Sequence, residues 1–240
     1  MNRPDFVGTV RRWSKSFVDI IFPNVCTVCH RTLIDGEQFL CLECLMDMPL
    51  TNFHKSDSNS LTDRLFSRTV PIEKATSMFY YRRGNPYTAL IHDTKYRGRP
   101  DVGRYLVELH AEELMSAGFF GYIDLLVPVP LHFLKQLKRG YNQAEKIADG
   151  IASVSGLPVV TPLRASWHRS QTRKDAHDRL RNALGTYSLC SDAAIENKHI
   201  LLVDDVITTG STVLACAGAV KAASPTTRIS VYSLAATYMD

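Results

Sequence analysis

An unbroken apolar run that ends in two adjacent acidic residues is the feature that most constrains this chain. Residues 200–213 read ILLVDDVITTGSTV. The apolar part has the length and the β-branched content of a strand buried on both faces. Small hydroxyl residues around one glycine follow, and a helical pattern begins after them. This order of strand, loop and helix is typical of a parallel sheet covered by helices.

The rest of the chain repeats the alternation of strands and helices. Strands are predicted at 75–81, 123–130, 157–163, 199–206 and 228–237. Helices are predicted at 86–96, 101–118, 142–156 and 211–224, with Asn142 as a cap. We therefore predict an α/β fold with a parallel sheet.

The N-terminal part has a different character. Apolar side chains in residues 6–21 lie at helical spacing, which predicts a short amphipathic helix that docks on the body of the protein. Binding to a membrane surface is the alternative. Residues 51–63 are polar and predict a linker. We expect an N-terminal module over residues 1–60 and a larger domain over residues 61–240.

Four cysteines form two pairs, each with two residues between its members. They are Cys26, Cys29, Cys41 and Cys44, and the segment between the pairs carries the turn signal Asp35-Gly36. Two such pairs suit a tetrahedral site of four sulfurs, so the spacing predicts a structural zinc ion held by two knuckles and a hairpin. Free or disulfide-bonded thiols are the alternative, and a cytosolic chain disfavours disulfides.

The composition indicates a soluble globular protein. Hydrophobic residues make up 45% of the chain and charged residues 22%, with a net charge of +4. No apolar stretch approaches the ~20 residues that span a bilayer. Charged residues also interrupt the apolar segment near the N-terminus, so we expect neither a signal peptide nor a membrane segment, and a cytoplasmic location.

The acidic pair after the apolar run predicts a sugar-phosphate site. Asp204 and Asp205 would lie at the carboxyl end of a parallel strand, where such sheets bind ligands. Adjacent carboxylates repel each other unless donors or a cation accompany them, and ribose hydroxyls or Mg²⁺ would serve. The next residues cradle a phosphate with backbone N–H groups and a helix N-terminus. These residues are Thr208, Thr209, Gly210, Ser211 and Thr212.

The segment LLVDDVITTGST resembles the phosphoribosyl diphosphate (PRPP) signature of type I phosphoribosyltransferases. Three further segments, LIHDTKYRGR (90–99), VPVPLHFLKQLKRGYNQ (127–143) and QTRKDAHDRLRN (171–182), resemble blocks of the ComF family. That family also carries an N-terminal four-cysteine module. The resemblance implies a type I phosphoribosyltransferase-like domain, PRPP or a related ribose phosphate as ligand, Mg²⁺ with it, and a link to DNA uptake and competence.

The same resemblance assigns contacts to the diphosphate or the second substrate. The residues are Lys95, Arg97, Arg139, Gly140 and Arg179. The basic residues around position 95 also fit a solvated helix end, and Arg179 also fits an ion pair with Asp175 or Asp178. Residues 168–182 are polar and basic, which suits a mobile loop that closes over substrate.

Two functions of different classes follow. The first is transfer of a phosphoribosyl group from PRPP to an acceptor, although no residue identifies the acceptor or a catalytic group. The second is a non-catalytic helper in natural transformation, which senses a nucleotide or binds single-stranded DNA or competence proteins through basic stretches. The sequence does not indicate an oligomeric state.

Overall fold

The computed structural model describes residues 24–56, 58–66, 70–96, 99–131, 136–137, 139–165, 186–190 and 195–238. The chain divides into two compact units between Met48 and Pro49. Among the described residues, no helix combines the length and the apolar character needed to cross a bilayer.

The smaller unit is a short hairpin followed by a helix. Isolated antiparallel bridges join Val25 to Thr32 and Gln38 to Leu40. The predicted turn at Asp35-Gly36 lies between them, with Gly36 at a φ of +93°. Helix α1 (Leu42–Met46) comes next.

A four-stranded parallel sheet forms the centre of the larger unit. The described residues of this unit form the strands β1 (Ala75–Tyr81), β2 (Leu125–Pro128), β3 (Leu163–Ala165), β4 (Tyr187–Leu189), β5 (His199–Ile207) and β6 (Arg228–Thr237). The sheet order is β1-β6-β5-β2, and every neighbouring pair is parallel. The predicted α/β fold with a parallel sheet is confirmed. Strands β3 and β4 form a separate antiparallel pair.

Helices of the larger unit connect these strands. They are α2 (Ser60–Leu65), α3 (Thr88–Tyr96), α4 (Pro100–Ser116), α5 (Gln143–Ser155) and α6 (Ser211–Ala223). Asn142 caps α5 as predicted, because its side-chain oxygen accepts a hydrogen bond from the Ala144 N–H at 3.1 Å. The apolar parts of β5 and β6 are fully buried, as a sheet covered on both faces requires.

Two sequence-based predictions were wrong. Residues 51–63 are not a linker, because a 3₁₀ turn (Phe53–Lys55) buries Phe53 and α2 buries Leu61. Residues 157–163 do not form a strand: Val159 makes one parallel bridge to Leu126, and the next strand begins only at Leu163. Pro158 and Pro162 explain this result, since proline has no N–H to donate to a ladder.

Candidate functional site

The two acids lie inside strand β5, at the point where one neighbouring strand ends. Strand β2 pairs with β5 only as far as Pro128, which lies opposite Val203. Strand β5 continues to Ile207, paired on that part with β6 alone. The sheet therefore opens beside Asp204 and Asp205, so that both carboxylates border a cavity.

The negative charge of this acidic pair is partly balanced within the site. Lys95 Nζ lies 3.1 Å from Asp205 Oδ1, and the Asp205 N–H donates to Asp204 Oδ1 at 2.8 Å. Burial and then repulsion from Asp205 raise the pKa of Asp204 to about 7, although the Asp205 N–H and Lys95 oppose that rise. The carboxylate pair is thus held in a strained electrostatic state that additional donors or cations would relieve.

A cavity of about 430 Å³ opens at the acidic pair. Its size lies in the range of small-molecule sites, and its wall mixes apolar, acidic and basic groups. The lining residues are Tyr81, Ile91, His92, Lys95, Val129, Pro130, Leu131, Arg139, Asn142, Gln143, Ala144, Tyr187, Asp204, Asp205, Val206, Thr208 and Thr212. The structure thus brings Lys95 and Arg139 to the same cavity as the acids.

The hydroxyl-rich loop joins β5 to the N-terminus of α6. Thr208 and Thr212 line the cavity, and Thr209 and Ser211 are exposed beside it. The N-cap of α6 is Gly210, which has no side chain to cap the helix, but the Ser211 N–H donates to Thr209 Oγ1 at 3.4 Å. The N–H groups of Thr212 and Val213, which follow in the first turn, are the ones available to an anion.

Glycine at position 210 is required for two reasons. Its φ is +79°, and a Cβ atom there would lie 2.3 Å from Leu65 Cδ2. The glycine thus serves the close packing of α2 against the loop and the left-handed turn into α6.

Arg139 and Gln143 form a second polar group on the cavity wall. Arg139 Nη1 donates to Gln143 Oε1 at 3.0 Å. Gln143 is buried, and its Nε2 has no hydrogen-bond partner among the described residues. A buried donor of this kind would be satisfied by a ligand oxygen.

Gly140 does not line this cavity. Its φ is +81°, and a Cβ atom there would meet nothing within 4 Å. Glycine is needed at this position for the backbone conformation, which ends the turn before α5.

Several predictions concern residues outside the described ones. They are the diphosphate contacts of Arg97 and Arg179, the mobile loop over residues 168–182 and the helix over residues 6–21. Arg99, at the end of the same basic segment as Lys95, forms an ion pair at 3.1 Å with the buried Asp93.

Sequence reasoning missed two tyrosines of the cavity wall. Tyr187 lies on β4, and burial raises the pKa of its hydroxyl. Tyr81 is the last residue of β1. Neither stands in a recognisable motif, and only the alternation of side chains at a strand end hints at Tyr81.

The four paired cysteines come together in the smaller unit. Their sulfur atoms all lie within 4.8 Å of one another. Cys29 Sγ and Cys41 Sγ are 3.7 Å apart, which is far longer than a disulfide bond of about 2.05 Å. It is close to the edge of a tetrahedron with Zn–S bonds of about 2.3 Å. The four thiols therefore fit a zinc ion.

The two cysteine pairs reach this site from different local structures. Cys26 and Cys29 lie in a turn closed by the His30 N–H donating to the Cys26 carbonyl at 2.9 Å. Cys41 and Cys44 lie at the start of helix α1, where Cys41 Sγ accepts from the Cys44 N–H at 3.4 Å. The second pair is thus a helix N-terminus and not the second knuckle that the spacing predicted.

Hydrogen bonds favour the thiolate form at one of these cysteines. Burial raises the pKa of Cys26, but backbone N–H groups of Cys29, Cys41 and Val28 outweigh that effect, and the pKa falls to about 7. Burial raises the pKa of the Cys41 and Cys44 thiols, so a bound metal would have to displace their protons, whereas Cys26 is the thiol most readily deprotonated.

Relatives with related names cover most of this chain. It is 25% identical over 205 residues to the DNA utilization protein YhgH of Salmonella typhimurium, covering 80% of this chain and 88% of that protein. It is 27% identical over 197 residues to YhgH of Escherichia coli K12, covering 79% and 81%. Competence protein F of Haemophilus influenzae is 31% identical over 133 residues, covering 53% and 58%.

The resemblance to the ComF family is confirmed. The YhgH proteins and this chain share most of their length at low identity. No protein-family model matches the chain.

The solved structures to which the chain is similar are phosphoribosyltransferases. One is a glutamine PRPP amidotransferase from Bacillus subtilis complexed with ADP and GMP, at a TM-score of 0.42 and 21% identity. That likeness covers 60% of this chain and 30% of the amidotransferase, so the chain spans less than a third of that protein. The other is a purine phosphoribosyltransferase from Pyrococcus horikoshii, at a TM-score of 0.33 and 13% identity, covering 55% and 82%.

Proposed function

We propose that this ComF-type protein binds PRPP with Mg²⁺ and transfers its phosphoribosyl group to an acceptor. One observation carries the proposal. Two adjacent carboxylates, Asp204 and Asp205, border a cavity of about 430 Å³ that is also lined by Lys95 and Arg139. This combination suits a ribose that carries an anionic group at each end, because carboxylates accept hydrogen bonds from its hydroxyls and cations bind its anionic groups.

Asp204 and Asp205 accept hydrogen bonds from the ribose hydroxyls. Lys95 pairs with Asp205 at 3.1 Å when no sugar is present, and the hydroxyl donors then take over part of this role. Lys95 is thereby released toward the diphosphate. The lysine acts as a counter-ion that moves from a carboxylate to the leaving group.

The 5-phosphate lies at the N-terminus of α6. Thr208 and Thr212 line the cavity there, and the N–H groups of Thr212 and Val213 in the first helical turn can donate to the phosphate. Thr209, Gly210 and Ser211 shape the loop that presents these N–H groups. Arg97 and Arg179, which lie outside the described residues, remain predicted contacts of the diphosphate.

Transfer breaks the bond between the anomeric carbon and the diphosphate oxygen. The diphosphate leaves with the electron pair, and Lys95 and Arg139 offset the charge that develops on it. A nucleophile on the opposite face of the sugar forms the new bond to the anomeric carbon. Carboxylate oxygens of Asp204 and Asp205 are hard ligands that suit Mg²⁺, which supplies further charge stabilisation when it is bound.

Calorimetry with PRPP and Mg²⁺ tests the binding step. Changing both Asp204 and Asp205 to Asn removes the charged acceptors and keeps the shape, so we expect affinity to fall at least about 100-fold, or 2.7 kcal/mol. Asp101→Asn, at an exposed position outside the cavity, is the matched control and should bind as the wild type does. Retained micromolar affinity in the double variant would overturn the assignment.

Turnover separates the enzyme from a binding protein. We expect diphosphate release from PRPP when the protein is supplied with Mg²⁺ and the right nucleophile from a panel of amines, bases and hydroxyl compounds. PRPP that binds and is never consumed across such a panel favours a nucleotide-sensing role.

The names of the relatives support a second candidate. YhgH is named for DNA utilization and Competence protein F for competence, which favours a helper in DNA handling. Single-stranded DNA held through several phosphates should dissociate steeply with added salt. The aromatic residues of FYYRRGNPY offer little to such a strand, because Phe79 is fully buried and Tyr80 stacks on Tyr238 at 4.1 Å.

A further inference from the structure

A second cluster of metal-ligand side chains lies in the larger unit. His54, His110 and Glu113 each offer one ligand atom, and these atoms all lie within 4.8 Å of one another. His54 belongs to the 3₁₀ turn Phe53–Lys55, and the other two residues lie three apart on α4. A spacing of three places both side chains on one face of that helix.

His54 is a buried imidazole whose ring nitrogens are incompletely satisfied. Its side chain is 1% exposed, its Nδ1 has no hydrogen-bond partner among the described residues, and its Nε2 lies 3.3 Å from Glu113 Oε1 without the geometry of a hydrogen bond. Leaving a buried polar group unsatisfied costs about 1–3 kcal/mol. An incompletely satisfied ring next to another histidine and a carboxylate indicates that a further ligand completes the site.

His110 is oriented by a residue of the central sheet. Its Nδ1 lies 3.1 Å from the hydroxyl of Tyr232 on β6, and Tyr232 is fully buried. When Nδ1 donates to that hydroxyl, Nε2 keeps its lone pair for a metal. Metal-ligating histidines generally have such a partner on the other ring nitrogen.

The distance between the His54 ring and the Glu113 carboxylate suits a small cation. His54 Nε2 and Glu113 Oε1 are 3.3 Å apart. Ligands at about 2.0–2.1 Å in a tetrahedron around zinc are separated by about 3.3 Å.

We propose that His54, His110 and Glu113 form a second Zn²⁺ site, distinct from the four-cysteine site. Two nitrogens and one carboxylate oxygen match zinc better than Mg²⁺ or Ca²⁺, which prefer oxygen alone. The ion fastens the 3₁₀ turn to helix α4. Three protein ligands leave one coordination position for water or another small molecule.

Lys55 competes with the metal for the carboxylate. Its Nζ lies 2.9 Å from Glu113 Oε1, and its side chain is 56% exposed. Zinc binding displaces this ammonium, which can turn into solvent because so much of it is already exposed. The lysine therefore weakens the site without blocking it.

Zinc stoichiometry of the full chain tests the proposal. The protein is stripped with a chelator, dialysed against micromolar zinc and measured by mass spectrometry for bound metal. We expect two zinc ions per chain in the wild type and one in His54→Ala. Lys55→Ala is the matched control at the adjacent position: it should keep both ions and bind the second about two- to fivefold more tightly.

Cobalt(II) distinguishes the two sites by their absorption. The four-cysteine site gives a thiolate-to-cobalt charge-transfer band, and a site of two histidines and a glutamate gives visible bands without it. We expect His54→Ala to lose only the bands of the second equivalent. Tyr232→Phe should lower the affinity of the second ion about 10–100-fold, since it removes the partner of the ligating ring.

Glu113→Gln keeps the test decisive if His54→Ala does not fold, because Glu113 is 39% exposed and glutamine has nearly the same shape. It should also bind one zinc ion per chain. A wild-type chain that binds one ion, or variants of His54 and Glu113 that still bind two, would overturn the proposal. The cluster would then be an ion pair of Lys55 and Glu113 beside two buried histidines.

Discussion

At the scale of one residue, Asp204 differs from an ordinary core residue because it is an acidic group placed in surroundings that disfavour its charge. Burial and the neighbouring Asp205 raise its pKa to about 7, well above the ordinary aspartate value of 3.8. The protein accepts an ionised form that its surroundings disfavour. Such unfavourable placement of a charged group is common where a ligand is meant to supply the missing donors.

The first prediction concerns the pH dependence of stability. Since the folded pKa of Asp204 is raised, its protonated form stabilises the fold fully below pH 3.8, and this contribution is lost as the pH rises through about 7. Asn mimics the protonated form, so Asp204→Asn should have the larger free energy of unfolding at pH 8. An upper bound is about 4 kcal/mol, from 1.36 kcal/mol per pKa unit.

Urea unfolding between pH 4 and pH 8 measures the difference in the free energy of unfolding between Asp204→Asn and the wild type. This difference should shrink as the pH falls and vanish near the pKa that Asp204 has in the unfolded chain. Asp101→Asn provides the exposed control, in which no such trend is expected. A gap that stays constant with pH would show that the effect of Asn has another cause.

The second prediction compares two glycines with left-handed φ. Gly84 has a φ of +82° and open space around it, whereas a Cβ atom at Gly210 would lie 2.3 Å from Leu65 Cδ2. Gly84→Ala should cost about 1–2 kcal/mol for the backbone conformation alone. Gly210→Ala should cost a further 1–3 kcal/mol or so for the clash. Equal losses in urea unfolding would argue against tight packing of α2 on the loop.

At the scale of elements, a turn and a helix N-terminus share the four-cysteine site. The smaller unit has few buried apolar side chains, as units of this size generally do, and a metal then contributes much of the folding free energy. Removing one thiolate should therefore affect the whole unit and not one contact.

The third prediction is that Cys26→Ser lowers the zinc content by one ion per chain. The hairpin and α1 should then unfold, because the buried ligand set is incomplete. Metal analysis and hydrogen exchange of residues 24–48 would measure the two effects. Cys190→Ser, at a partly buried cysteine outside the cluster, should leave both unchanged. Unaltered zinc content in Cys26→Ser would contradict the assigned ligands.

At the scale of the whole molecule, the cavity lies where β5 extends beyond the end of β2, and residues of helices α3, α5 and α6 line it. A ligand there contacts elements that are distant in the chain. Its binding free energy should therefore appear as stability of the larger unit as a whole.

The fourth prediction follows from this linkage. PRPP with Mg²⁺ at about 100 times its dissociation constant should stabilise the larger unit by about 2.7 kcal/mol, or raise its Tm by about 5–10 °C. Differential scanning calorimetry measures the shift. The variant with Asn at both positions 204 and 205 should show none, and an equal shift in that variant would place the ligand elsewhere.

Local pattern alone determined much of this molecule. The predicted bounds of β1 and β6 agree with the structure, because both segments are mostly apolar and aromatic residues with small hydroxyl residues among them, a composition that suits a buried strand. The acidic pair, the hydroxyl loop and the cysteine pairs are likewise short segments whose chemistry is complete within a few residues.

Tertiary structure decided what depends on distant parts of the chain. It brought Lys95 to within 3.1 Å of Asp205, added Tyr187 to the cavity wall and set His54 beside His110. It also buried Phe53 and Leu61 in a segment whose polar composition predicted a linker. No local period encodes such contacts, because they arise from which faces of separate elements pack together, and that choice is made only when the whole core forms.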